Sequence, residues 1–257
     1  GPLGRRVLPV LALSSVVRLL PLLLGLPSAS AAAAPPIQSP LQAMARLRAG
    51  DPTAGARAVE AACRGRYRRV LVDDPKLLAE VRRMVQGEDP ARRRAGLDLH
   101  RCFSPARFVT AVLAPEIRHP DPARAAYAAE VAARLADPAA LPPLLEALEA
   151  RREACAGPLP PREVERCVWL VYAPGTALDG APEARRARVG ALAAEATTWP
   201  HPKAREVAVE TLAATGDAAH AKVIRGLVAR EKKGDVEAPN PPPLLRRFEQ
   251  RARELAR

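Results

Sequence analysis

Residues 119–138 read HPDPARAAYAAEVAARLADP, and this stretch contains the pattern that decides the fold. Asp121 suits a helix N-cap because its carboxylate accepts hydrogen bonds from free backbone N–H groups, and Pro122 suits the first helical position. Small and apolar residues then recur at three- and four-residue steps, which places them on one helix face: Ala125, Ala128, Ala129, Ala132 and Leu135. Asp137-Pro138 repeats the start signal, so the stretch predicts a helix, a tight turn and a second helix.

Proline opens an Ala/Leu-rich amphipathic stretch five times along the chain, at Pro52, Pro90, Pro122, Pro161 and Pro202. The successive spacings are 38, 32, 39 and 41 residues. Recurrence at roughly 30 to 50 residues indicates one supersecondary unit that is copied and stacked, because a single helix pair cannot bury its own apolar face. With aromatic residues at 3% of the chain, the predicted core consists of Ala, Leu and Val.

The repeating unit resembles HEAT-type repeats, in which an Asp-Pro pair is followed by an Arg and then by Ala and Leu at helical spacing. The resemblance covers roughly residues 41–232. It implies an all-α fold, a right-handed α-solenoid of about five helical hairpins with a C-terminal capping helix. It also implies a ladder of Asp and Arg side chains between neighbouring units, at Asp51, Asp89, Asp121, Arg57, Arg94 and Arg124. Such a fold says little about function.

Residues 1–34 differ in kind from the rest. Two arginines precede an apolar run over residues 7–26, and small residues suited to cleavage follow at 31–34. These are the three parts of a secretory signal peptide, and an uncleaved N-terminal membrane anchor is the alternative. Residues 1–4 are interpreted as an expression scar. Export to the periplasm or cell envelope is the predicted localisation.

Three further segments follow the predicted leader. Residues 35–234 form the predicted repeat array, and residues 235–243 are a Pro-rich linker that disfavours regular structure. An amphipathic stretch over residues 244–257 is predicted to cap the apolar end of the array, as a solenoid requires. A detachable helix that binds a partner is the alternative for this last segment.

The four cysteines form an even set that an oxidising compartment allows to pair. Cys155 and Cys167 flank a short loop between two predicted helices, so we favour this disulfide. Cys63 and Cys102 lie at nearly equivalent positions of adjacent first helices, and a second bridge there requires a close approach of the two helices. Four buried free thiols are the alternative.

The formal charge is +12, and without the three arginines of residues 1–34 it is +9. Arginines and one loop tryptophan make up the predicted binding surface: Arg64, Arg66, Arg68, Arg69, Arg93, Arg94 and Trp199. Such a surface fits an acidic partner protein. It also fits nucleic acid through phosphate contacts, although predicted export argues against that partner. The alternative for the arginines is a basic surface that contacts only solvent and binds no partner. The alternative for Trp199 is packing on a neighbouring repeat.

Catalytic and metal-binding signals are lacking. The four histidines show no metal-ligand spacing, and the chain contains no Cys-x-x-Cys, nucleophile elbow or phosphate-binding glycine loop. We therefore predict no enzyme activity, metal or cofactor. The predicted function is a non-enzymatic interaction or scaffold module of the cell envelope that contacts membrane only through an uncleaved N-terminus. A DNA-binding or repair protein is the second hypothesis, and a HEAT-like lyase or hydroxylase the third.

Overall fold

The computed structural model describes residues 35–257, and their regular structure is entirely helical, without a strand. The predicted leader or anchor in residues 1–34 lies outside the described residues. Pro36–Arg257 forms one compact unit. The helices are α1 Pro40–Arg48, α2 Pro52–Arg64, α3 Arg68–Leu71, α4 Pro75–Gln86, α5 Pro90–Asp98, α6 Pro105–Phe108, α7 Ala114–Ile117, α8 Pro122–Leu135, α9 Leu141–Cys155, α10 Pro161–Thr176, α11 Glu183–Ala196, α12 Pro202–Thr215, α13 His220–Lys233 and α14 Pro242–Leu255. A π-helical turn, Val109–Leu113, joins α6 to α7.

Each of the five repeated prolines is the first residue of a helix, as the sequence predicts. Asp51, Asp89 and Asp121 cap three of these helices by accepting from the backbone N–H two residues on, at 2.8, 2.9 and 2.8 Å. The Asp–Arg ladder does not form within residues 35–257. The caps occupy the Asp carboxylates, and Arg124 pairs with Glu116 instead.

Successive helices pack in pairs, α1 with α2, α4 with α5, α7 with α8, α9 with α10, α11 with α12 and α13 with α14. The second members also pack against one another in chain order, and we call α2, α5, α8, α10, α12 and α14 the front row. The first members α1, α4, α7, α9, α11 and α13 form the back row. The two helices on either side of the turn after α8, α8 and α9, are therefore not a packed pair of this kind. The sequence predicts α8 to pair with the helix that follows, whereas α9 packs on α10 and α7.

Small residues allow the front row to pack closely from α8 to α12. Ala125, Ala128, Ala129 and Ala132 of α8 are fully buried. At the crossing of α10 and α12, a Cβ atom on Gly175 would lie 3.1 Å from the Cα of Thr211. The Thr211 hydroxyl donates to the Val171 carbonyl of α10 across this contact, at 3.0 Å. The two helix backbones therefore approach closely only because residue 175 has no side chain.

Both predicted cysteine pairs are at disulfide distance. Cys63 at the end of α2 lies beside Cys102, with a Cα–Cα distance of 5.4 Å, and Cys155 of α9 lies beside Cys167 of α10 at 5.8 Å. The close approach that the first bridge requires is therefore present. That bridge joins α2 to the 3-10 turn Leu99–Cys102 after α5.

A buried polar cluster ties the C-terminal segment to α12 and α13. The guanidinium of Arg205 and the carboxylate of Glu231 are both 0% exposed and 2.8 Å apart. Arg205 also donates to the carbonyls of Trp199, Pro200 and Ala238. Glu231 accepts from the backbone and side-chain amides of Asn240, at 2.6 and 2.8 Å. Ala238 and Asn240 belong to the Pro-rich segment, which is thereby held against α12 and α13.

Helix α14 begins at Pro242 and packs against α12 and α13. It buries Leu245, Phe248 and Ala252 in a cluster shared with those helices and with α11. Burial of a complete Phe side chain stabilises such a contact by roughly 1.5–3 kcal/mol. The last helix is thus an integral part of the compact unit.

Candidate binding face

A groove of about 440 Å³ lies on the solvent side of the front row where α2, α5 and α8 are neighbours. We call it the arginine groove because Arg57, Arg94, Arg101 and Arg134 line it. Each comes from a different element: α2, α5, the 3-10 turn after α5, and α8. Neighbouring front-row helices therefore build this groove together.

Tyr127 of α8 forms the centre of the arginine groove. The guanidinium carbons of Arg94 and Arg134 lie 5.2 and 5.5 Å from its ring centroid, within cation–π range. Its hydroxyl donates to Asp98 at 2.9 Å, and Arg134 donates to the same carboxylate oxygen at 3.3 Å. Burial raises the pKa of the Tyr127 phenol, so it stays a neutral donor at physiological pH.

The four arginines of this groove differ in their electrostatic partners. Arg101 pairs with Glu60 at 3.2 Å and Arg134 pairs with Asp98 at 3.3 Å. Arg57 forms no hydrogen bond or ion pair with any residue of 35–257. Arg94 also forms none with these residues, and its guanidinium contacts only the Tyr127 ring, through a cation–π interaction. Two uncompensated positive charges therefore face the groove, and they suit a ligand that carries carboxylates or phosphates.

His100 lies in the wall of the same groove but is buried. Burial lowers the pKa of its imidazole, and the positive charges of Arg101 and Arg134 act in the same direction. The imidazole is therefore neutral at pH 7, and its ring packs 6.3 Å from that of Phe108. We assign His100 a packing role.

A second groove of about 550 Å³ lies further along the front row, between α10, α12 and α14. We call it the aromatic groove because Trp169 and Tyr172 of α10 line it, with ring centroids 5.8 Å apart in an edge-to-face arrangement. Val168 and Val207 add apolar surface to the lining. Trp169 lies in an apolar run of the sequence, a pattern typical of core residues, but its ring is partly exposed and faces this groove.

Four of the predicted binding arginines lie together near the end of α2 and in α3, outside the arginine groove. Arg64 pairs with Glu60 at 2.5 Å. Arg66 stacks on the ring of the adjacent Tyr67, with 4.7 Å from the guanidinium carbon to the ring centroid. Arg68 and Arg69 are exposed to solvent. None of the four lines the arginine groove, although Arg64 borders it through the groove carboxylate Glu60.

The remaining predicted residues have three different environments. Arg94 lines the arginine groove, whereas the neighbouring Arg93 donates to the carbonyls of Gly87 and Glu88 at 3.0 and 3.2 Å, in the turn before α5. Trp199 does not contribute to the predicted binding surface, since its side chain is 2% exposed, and the structure agrees instead with the alternative that it packs against the rest of the protein. It packs in the core because Arg205 draws the surrounding turn inward through two carbonyls.

Sequence reasoning missed Arg57, Tyr127, Trp169 and Tyr172 as groove residues. A partial signal exists, because Tyr127 follows Arg124 by three residues on the polar side of α8, away from the alanine stripe. The grooves themselves depend on which helices become neighbours.

Comparison of the chain with protein-family models, curated proteins and solved structures gives no match. In the part of the chain that the structure describes, no three His, Cys, Asp or Glu side chains cluster as metal ligands would. No helix within residues 35–257 has the length and hydropathy needed to cross a bilayer.

Proposed function

We propose that this protein is an exported, HEAT-like helical-repeat protein that binds an acidic partner protein through the arginine groove and does not act as an enzyme. The observation that carries the proposal is the pair Arg57 and Arg94, two arginines without a carboxylate partner on adjacent helices of one groove. Arginine is enriched at the energetic centres of protein interfaces, where its planar guanidinium holds carboxylates bidentately.

The packing order supports a stacked solenoid of helix pairs. Helices of the front row contact their neighbours in chain order, and in the back row the π-helical turn before α7 makes the main contact with α4, as expected when every pair covers the apolar face of the next. From α8 to α12 the front row packs more closely than the back row, so we place the front row on the concave side of the array. Concave faces are the surfaces that repeat proteins use for binding.

Carboxylates inside the arginine groove favour a protein over a nucleic acid as the ligand. Glu60 and Asp98 neutralise two of the four arginines and would repel a continuous phosphate backbone. An acidic peptide can place individual carboxylates beside Arg57 and Arg94 and avoid Glu60 and Asp98. A chain of evenly spaced phosphates lacks that freedom.

Titration of the protein into a fluorescein-labelled peptide of ten alternating Glu and Asp residues, followed by anisotropy, tests the acidic-partner proposal. We expect the double variant Arg57→Ala/Arg94→Ala to bind at least ~10-fold more weakly. The matched control Arg82→Ala/Arg225→Ala removes the same charge from exposed positions in the back row and is expected to change affinity less than ~3-fold, since distant surface charges are screened.

Two results would overturn the proposal. One is equal weakening by both double variants, which would mean that net charge alone attracts the peptide. The other is tighter binding to a labelled DNA duplex than to the peptide at the same salt concentration, which would favour the nucleic-acid hypothesis.

Export is tested separately, by sequencing the N-terminus of the mature protein after expression in the native host. The composition of residues 1–34 and the two cysteine pairs at disulfide distance support an oxidising destination. We expect the residues before about Pro35 to be lost. A mature chain that retains them and remains in the cytoplasm would contradict export.

A further inference from the structure

The aromatic groove has the chemistry of an anchor site for one apolar side chain. Trp169 and Tyr172 present partly exposed rings, and Val168 and Val207 complete an apolar lining. The indole N–H of Trp169 and the hydroxyl of Tyr172 form no hydrogen bond with any residue of 35–257. Rings of this kind, with an apolar face and a free polar tip, are common at the centres of protein interfaces because the tip can hydrogen-bond a partner's backbone.

Charges at the rim of the aromatic groove have a consistent orientation. Lys203 pairs with Glu206 at 2.7 Å and Arg247 pairs with Glu210 at 2.8 Å. In both pairs the cation is more than half exposed and the carboxylate is largely buried. A ligand therefore meets positive charge first, as it does at the arginine groove.

The two grooves are adjacent on the same face. Tyr127 on α8 belongs to the arginine groove, and Trp169 on α10 belongs to the aromatic groove. Helices α8 and α10 are direct neighbours in the front row. One ligand that crosses these two helices therefore reaches both grooves.

The spacing of the front-row helices sets the size of that ligand. Arg94 on α5 and Trp169 on α10 are two helix spacings apart, because α8 lies between those helices. Packed helix axes are about 8–10 Å apart, so the separation is roughly 16–20 Å. An extended chain advances about 3.3 Å per residue, and five to six residues span this distance.

We propose that the partner binds as an extended segment, with acidic residues on Arg57 and Arg94 and one large apolar side chain in the aromatic groove, five to six residues away along its chain. This inference rests on the acidic-partner function proposed above and adds the second anchor and its spacing. The apolar anchor supplies affinity that salt does not screen, whereas the acidic part directs approach and orientation.

Synthetic labelled peptides test the spacing. Each carries four acidic residues, a Gly-Ser spacer and one Trp, and the series places the Trp two, five or ten residues from the acidic stretch. We expect the five-residue peptide to bind at least ~10-fold more tightly than the two-residue peptide, which cannot reach both grooves. The ten-residue peptide is expected to lie between them because its longer linker lowers the effective concentration of the second anchor.

Variants in the aromatic groove provide the second arm of the experiment. Trp169→Ala is expected to weaken the five-residue peptide at least ~10-fold and to leave a purely acidic peptide unaffected. Trp169→Phe is expected to recover most of that loss, because it restores the apolar ring. The matched control is Val70→Ala, which shortens an exposed apolar side chain outside both grooves (50% exposed) and is expected to change neither affinity.

The outcomes separate this inference from the proposed function. Binding that depends on Arg57 and Arg94 but ignores both spacer length and Trp169→Ala overturns the second anchor and leaves the acidic-partner function standing. Binding that ignores Arg57→Ala/Arg94→Ala overturns the function itself. Circular dichroism of each variant at the assay temperature shows that it is folded, so lost binding is assigned to the groove.

Discussion

The N-terminal half of the compact unit, α1 to α7, and the C-terminal half, α8 to α14, both begin most of their helices at a proline, but the halves are held together differently. The helices of the first half contain 4 to 13 residues, whereas those of the second contain 14 to 16. Between helices, the first half contains the Arg48–Glu80 ion pair and a disulfide that closes 39 residues. The second half also contains surface ion pairs and a disulfide between its helices, and to these it adds close contacts of small residues and one fully buried ion pair.

The start of a helix and the choice of the helices it packs against have different physical origins. A proline at the helix start acts within one turn, so it recurs in both halves. Side-chain N-caps occur on α1, α2, α4 and α5, but among α8 to α14 only α8 has one. The contacts between rows depend on side-chain volume and charge along the whole helix, and these differ between halves. The polar arginine groove, built by α2, α5 and α8, spans both halves, whereas the more apolar aromatic groove lies within the second half.

The largest effect is expected at the buried pair of the C-terminal half. Arg205→Ala leaves Glu231 buried without its partner and frees three loop carbonyls, so we expect a loss of about 3–5 kcal/mol in the free energy of unfolding. Arg124→Ala, at the partly exposed pair with Glu116, is expected to cost less, about 1–3 kcal/mol. Urea unfolding followed by circular dichroism measures both.

A surface pair supplies the control for these two variants. Arg188 pairs with Glu149 at 2.6 Å with both side chains well exposed, and Arg188→Ala is expected to cost less than ~1 kcal/mol. Arg124 of α8 pairs with Glu116 of α7 across the boundary between the halves, so a larger loss for Arg124→Ala than for Arg205→Ala would contradict the special weight given to the fully buried pair.

Each half contains one disulfide, and removing each bridge in turn is expected to have the second-largest effect. The Cys63–Cys102 bridge closes a separation of 39 residues and the Cys155–Cys167 bridge one of 12, so the chain-entropy model gives losses of about 4 and about 3 kcal/mol for the double Ser variants. Only the first bridge holds a residue next to Arg101 of the arginine groove. We expect peptide affinity to fall in that variant and to be kept in the other.

Unfolding curves of both variants measure the loss of stability. Peptide titrations, under conditions in which each variant remains folded, measure the loss of affinity. An equal loss of peptide affinity in the two variants would show that the first bridge has no special relation to the arginine groove.

The sequence predicted the helix starts and the cysteine partners well because those signals are local or nearly so. Asp121 caps the helix that Pro122 begins, and Cys155 lies across a short loop from Cys167. Local signals left open whether α9 packs mainly on α8, which precedes it, or on α10, which follows it. The Asp137-Pro138 turn indicates α8 and the Cys155–Cys167 pair indicates α10, and packing decides for α10.

Long-range polar contacts limit how much of the candidate site can be predicted from the sequence. Trp199 follows a helix in a polar turn, which favours exposure, yet Arg205 ties that turn to Glu231, a residue 26 positions further along the chain. Nothing near Trp199 in the sequence indicates that contact. Arg57 likewise becomes a groove residue only because α2, α5 and α8 are neighbours.

Alanine substitutions at two glycines test the close packing of helices in the C-terminal half. Gly175→Ala places a methyl group 3.1 Å from the Cα of Thr211, and we expect a loss of about 1–3 kcal/mol. Gly226→Ala in α13 meets no atom within 4 Å and is expected to gain about 0.5–1 kcal/mol from the better helix propensity of Ala. Thermal and urea unfolding measure both, and a neutral Gly175→Ala would argue against the close approach of α10 to α12.

The smallest effect concerns acid stability in the N-terminal half. Burial raises the pKa of the Glu80 carboxyl, but hydrogen bonds from Arg48 and Arg83 outweigh it and hold the pKa below its ordinary value of 4.5. A depressed pKa in the folded state stabilises the protein above the unfolded-state pKa and is lost as pH falls through the folded-state pKa. Glu80→Gln is therefore expected to be less stable than the parent at pH 7, with the difference narrowing below about pH 4.5.

Urea midpoints of the two proteins between pH 7 and pH 3 measure that difference. The other carboxylates titrate in both proteins and cancel in the comparison. A difference that stays constant over this range would mean that Glu80 does not have a depressed pKa.

Arginine footprinting tests the central claim, that the front row is the binding face, most directly. The protein is treated with phenylglyoxal with and without the five-residue-spacer peptide, and modification of each arginine is quantified by mass spectrometry. We expect the peptide to protect Arg57 and Arg94, while Arg82 and Arg225 of the back row react equally in both samples. Protection of the back-row arginines, with Arg57 and Arg94 unchanged, would contradict this claim.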